Sequence, residues 1–170
     1  EMQRSLVGSE MCIRDSPKLT YFVPGYQQMR IYLSALTQIN INNHNRISTS
    51  DTRLLRRMVR DVQYRGHSPE DTLSIWKSVR RGEEENIFSF QNRADRVFNS
   101  ALIYELPVLK KMTRPMLERI KKGNPLYPEA QRLIHFFEPF RELSDDFVPD
   151  NSILREFIGY KKTKFSQKES

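Results

Sequence analysis

The sequence predicts an α/β protein that is mostly helical and carries about two short strands. Three observations lead there. A run of β-formers, Met29-Arg-Ile-Tyr-Leu-Ser-Ala-Leu36, is too short for an ordinary helix. From Asp51 onward the apolar residues recur at helical spacing. After Ser100 the pattern stays helical and is punctuated by Pro107, Pro115, Pro125 and Pro128.

The elements follow in order. Pro24-Gly25 is a turn signal. The strand within 29–36 is expected to be well buried. Asn40-Ile-Asn-Asn-His-Asn45 is a polar loop, because Asn side chains bond nearby backbone and tolerate left-handed conformations. Leu54, Leu55, Met58, Val59 and Val62 then make one apolar stripe of a helix. Ser48 or Ser50 caps its start and Gly66 stops it. Ser68-Pro-Glu-Asp71 opens a second helix with a cap, a first-turn proline and two acids. That helix runs to about Glu85 despite Gly82. A short strand is expected at 94–99, and helices at roughly 103–111, 115–122 and 128–138. Ser152–Ile158 forms a last short element, and Tyr160 to Ser170 is read as a disordered basic tail.

The chain has 170 residues, enough for one core, with 38% apolar and 29% charged residues. Its net charge of +7 and isoelectric point near 9.6 favour anionic partners. Cys12 is the only cysteine, which excludes an internal disulfide framework and a multi-cysteine zinc site. The three histidines have no metal-ligand spacing, and no metal site is expected within the chain. No apolar run approaches a membrane span, and no secretory signal is visible, so the cytoplasm is the expected compartment.

The arginine helix carries the chemistry. Five arginines fall from Arg53 to Arg65, and Arg53, Arg57 and Arg60 share a face at i, i+4 and i+7. Guanidiniums crowded on one face repel each other unless an anion sits among them. Arginine stays charged and offers planar, paired donors that match phosphate oxygens. The plainer reading is a solvated basic face with intrahelical acid partners.

Asp51-Thr-Arg-Leu-Leu-Arg-Arg-Met-Val-Arg-Asp61 followed by Arg65-Gly66 is very similar to the lid segment of the uridine kinases, D-T-R-L-x-R-R-x-x-R-D and then R-G. Ile31–Asn40, His44–Ile47, Ser78–Glu84, Phe98–Leu102 and Asn151–Gly159 resemble a bacterial branch of the phosphoribulokinase/uridine kinase family. The resemblance covers about residues 20–159. It implies the C-terminal part of a P-loop nucleoside kinase fold, spanning 17–159, with the lid helix at 51–66. It implies ATP and Mg2+ in the parent enzyme and a nucleoside such as uridine as acceptor. By the same resemblance Arg60 and Arg65 close over the ATP phosphates and Arg57 faces the nucleoside. Asp51 would begin the lid helix and steady Arg53 or the preceding loop. His44 would order that loop or touch nucleotide, and His67 would stand where the family has a base-contacting arginine.

The six glycines form no G-x-x-x-x-G-K-[ST] loop, which a kinase of this fold needs to cradle phosphates. The chain therefore reads as a fragment without catalytic residues of its own, inactive alone, whose strand at 29–36 has lost its neighbours. Ser5–Ser16 resembles translated sequencing adapter, and residues 1–16 are read as an artefact. Two other classes stay open. One is a basic nucleic-acid-binding module, which the lack of interleaved aromatics opposes. The other is a regulatory or interaction module, or a homo-oligomer, built on the helical residues 100–159.

Overall fold

The computed structural model describes residues 22–37, 40, 46–86, 88, 92 and 94–160. The expectations for residues 1–16, for His44 and for the tail after Tyr160 lie outside them. The described chain is mixed α and β, with helices and one two-stranded parallel sheet. It divides into two compact units. One holds the residues up to Ser34 together with Trp76–Ser100, and the other holds Ala35–Ile75 and the residues from Ala101 onward.

The first unit is built on the sheet. A single 3-10 turn at Gly25–Gln27 follows Pro24 and leads into β1, Ile31–Ser34. β1 pairs in parallel with β2, Arg96–Asn99, in the register Ile31 to Arg96 through Ser34 to Asn99. Asp95 fastens the start: its carboxylate accepts from the Arg30 N–H at 2.7 Å, while the Arg30 carbonyl accepts from Asp95 and Arg96. Two expectations are corrected here. β1 has a partner strand. It is also buried on one face alone, with Tyr32 and Ser34 covered and Ile31 and Leu33 exposed. Successive strand residues point to opposite faces, so covering one face leaves every second side chain in solvent.

The second unit is helical and holds most of the buried apolar residues. α1 spans Thr49–Tyr64. Ser48 caps it, its hydroxyl accepting from the Asp51 N–H at 3.3 Å. Gly66, at φ +64°, turns the chain out of the helix, so that the Asp61 carbonyl accepts from both Arg65 and His67. α2 spans Pro69–Asn86, passes through Gly82, and belongs to this unit up to Ile75 and to the first unit from Trp76. Its start is a capping box in which Ser68 and Asp71 satisfy each other's backbone N–H groups.

α3 spans Glu105–Leu117, α4 Tyr127–Phe136 and α5 Arg155–Ile158. α1 packs against α3 and α5, and α3 against α4. Leu54, Leu55, Met58 and Val59 from α1 meet a core that includes Leu106, Leu109 and Leu133, all fully buried. Each such side chain contributes about 1.5–3 kcal/mol on burial. The expected break before Pro115 is absent. Pro115 lies two residues from the end of α3, where its missing N–H deprives only the carbonyl of Lys111, an exposed residue. The chain then turns at Glu118–Ile120, where a helix to 122 was expected.

Candidate anion-binding site

α1 buries its apolar stripe together with Arg56 and turns Arg53, Arg57 and Arg60 away from it. Arg57 stands four residues before Asp61 and Arg65 four residues after it, so both fall beside its carboxylate. Arg57 Nε lies 3.1 Å from Asp61 Oδ2, and Arg65 Nη1 lies 3.1 Å from Oδ1. Arg60 Nε approaches Oδ1 at 3.6 Å. The Asp61 side chain is fully buried, while the three guanidinium side chains keep between 24% and 29% exposure. One anion, enclosed, thus gathers three cations that still reach solvent.

Among the described residues, three guanidiniums against one carboxylate leave two positive charges in surplus. The surplus is felt locally. Burial first, and the neighbouring charge of Arg65 next, hold Arg60 below the ordinary arginine range; Asp61 opposes this and Arg57 adds to it. The contacts are also poorly directed. Nε of Arg57 and Arg60, and both oxygens of Asp61, are buried without a hydrogen bond of good geometry. The two unsatisfied Nε–H donors favour an added acceptor, whereas the Asp61 oxygens, acceptors themselves, take nothing from an anion. A tetrahedral oxyanion with several acceptor oxygens is the ligand type that planar arginine donors match.

The other expected residues fall around this cluster. Arg53 lies on the same face one turn before Arg57 and is half-buried. Asp51 lies in the first turn of α1, and the structure gives its carboxylate a partner from α4. Arg132 donates Nη1 to Oδ2 at 2.9 Å and Nη2 to Oδ1 at 2.8 Å, while Glu129 holds the same guanidinium. Together the two carboxylates push Arg132 well above the ordinary arginine range. The expected partners of Asp51 were Arg53 or the preceding loop; the contact described for its carboxylate is instead with Arg132 on α4. His67 is exposed, just past Gly66, and its backbone N–H closes the end of α1. Before α1, Arg46 donates both Nε and Nη2 to the Thr37 carbonyl.

Residue-by-residue reading assigned no role to Asp61, the centre of the cluster. Its i−4 and i+4 spacing to Arg57 and Arg65 was the available signal. Comparison of the chain with family models, with curated proteins and with solved structures found no match. Among the described residues, no helix is long and apolar enough to cross a membrane.

Proposed function

We propose that the chain is the lid-bearing, C-terminal part of an ATP-dependent nucleoside kinase of the P-loop type. In this reading the parent enzyme moves the γ-phosphoryl of ATP to the 5′-hydroxyl of a uridine-like nucleoside. One observation carries it: Arg57, Arg60 and Arg65 converge on a single buried carboxylate and keep two charges in surplus. The similarity of Asp51–Gly66 to a uridine kinase lid supports the same assignment.

The chemistry follows from charge. The nucleoside oxygen bonds to the γ-phosphorus as the bond from that phosphorus to the β,γ-bridging oxygen breaks, and ADP leaves. Charge is spread over the three equatorial oxygens during transfer, and fixed cations around them lower the barrier. Arg60 and Arg65 take that role, and Arg57 places the acceptor. Asp61 holds the guanidiniums in place before substrate arrives, so less side-chain freedom is lost on binding. The residues present fit the phosphate end of the nucleotide. They do not fit its magnesium, since the cluster's one carboxylate is enclosed by cations. The reading assigns the phosphate loop, the metal ligands and the catalytic carboxylate that takes the hydroxyl proton as general base to a segment outside residues 1–170.

A nucleic-acid-binding role would call for positive charge spread along a track that follows a backbone. Here the cations point at one spot. The test joins this chain to the strand–G-x-x-x-x-G-K-[ST]–helix segment encoded upstream of Pro17 and measures phosphoryl transfer from ATP to uridine. Transfer that Arg60→Ala lowers by about 10³-fold or more is the expected result. Unchanged turnover in Arg60→Ala, or no such upstream segment, would sink the proposal.

A further inference from the structure

The face of α1 that carries Arg57 and Arg60 also carries Tyr64, four residues after Arg60 and seven after Arg57. Tyr64 is 56% exposed on a helix whose Leu54, Leu55, Met58 and Val59 are fully buried. Helical side chains lean toward the N-terminus, so a ring at position 64 covers the turn that holds Arg60 and Asp61.

The ring is also backed. A methyl group placed on Gly159 would stand 3.4 Å from the Tyr64 hydroxyl and 3.5 Å from Gln63 Oε1. Gly159 has φ +85°, and Gln63 Nε2 donates to the neighbouring Ile158 carbonyl at 3.1 Å. The C-terminal element therefore supports the hydroxyl end of Tyr64 while the residue stays half open to solvent. Aromatic rings stack bases of any sequence, because every base has a π-face. An open ring one helical turn beyond Arg60, on the same face, matches the two ends of a nucleotide.

We infer that Tyr64 is a stacking platform for the base of a nucleoside triphosphate whose phosphates lie on Arg60 and Arg65. The inference rests on the phosphate reading of the arginine cluster and adds a residue that confers preference for a nucleotide over a bare polyphosphate.

The test compares dissociation constants of the 170-residue chain for ATP and for inorganic tripolyphosphate in low-salt buffer, by isothermal titration calorimetry. The native chain is expected to bind ATP about tenfold more tightly than tripolyphosphate. Tyr64→Ala should abolish that margin and leave tripolyphosphate binding unchanged, which also shows that the variant is folded. Tyr64→Trp should keep the margin. Equal affinities in the native chain, or a margin that survives Tyr64→Ala, would overturn the role of Tyr64 and leave the arginine site standing. If neither probe binds, the phosphate reading falls and the stacking role falls with it.

Discussion

Asp61 is the residue on which the site turns. Its carboxylate is fully buried, and its partners are three cations that would otherwise repel one another. Asp61→Asn keeps the shape and removes the charge. It is expected to cost about 2 kcal/mol, less than the roughly 3–5 kcal/mol of a fully buried broken ion pair, because the arginines keep some solvent. The loss should be partly restored by millimolar phosphate, and more so than in the native chain, because an added anion then replaces the lost one. Thermal unfolding with and without phosphate checks both. The arginines themselves were legible from their spacing, since i, i+4 and i+7 place side chains on one face of any helix. The anion among them was less so. A single acid between arginines reads equally as a solvated partner, and its complete burial depends on packing that the spacing does not encode.

At the level of elements, starts and stops were the most readable features. Ser48, Gly66 and the Ser68–Asp71 box act through local geometry, so sequence neighbours suffice to define them. Proline misled at position 115, since its effect depends on how close it lies to the helix end. The capping box also has a pH signature. The Ser68 hydroxyl and then its N–H hold the Asp71 carboxyl below the usual aspartate range. A depressed folded pKa adds stability above the unfolded value of about 3.9, and the gain is lost as pH falls through the folded value. An NMR titration should therefore find Asp71 titrating below that value, and Ser68→Ala should raise it.

Across the whole molecule, contacts between residues far apart in sequence hold the helical unit together. Arg56 on α1 and Glu105 at the start of α3 form a buried pair 49 residues apart, with Arg56 Nε donating to Glu105 Oε2 at 2.7 Å and its guanidinium lying over the Phe157 ring. Burial drives the Glu105 carboxyl above the usual range even though Arg56 opposes the shift. Arg56→Met alone should cost about 3 kcal/mol in urea unfolding, because it strands a buried acid. Adding Glu105→Leu should recover most of that loss, since two apolar residues replace a pair that is costly to desolvate. Arg56 and Arg155 show why such links escape a linear reading. Arg56 shares its helix with the site arginines yet faces the core. Arg155 is buried against the carbonyls of Asp145, Val148 and Gly159, with nothing in its local spacing to mark it.

The central claim is that Arg57, Arg60 and Arg65 form one anion-binding cluster organised by Asp61, with phosphate on Arg60 and Arg65 and Arg57 at its edge toward the acceptor. It is tested most directly by following the arginine Nε–Hε signals by NMR while inorganic tripolyphosphate is added to the 170-residue chain. The account predicts that the signals of these three arginines move together and saturate on one binding curve, while those of the core residues Arg56 and Arg155 stay still. Small, unsaturated shifts spread over all arginines would mean that the polyanion only screens a basic surface, and would contradict the account.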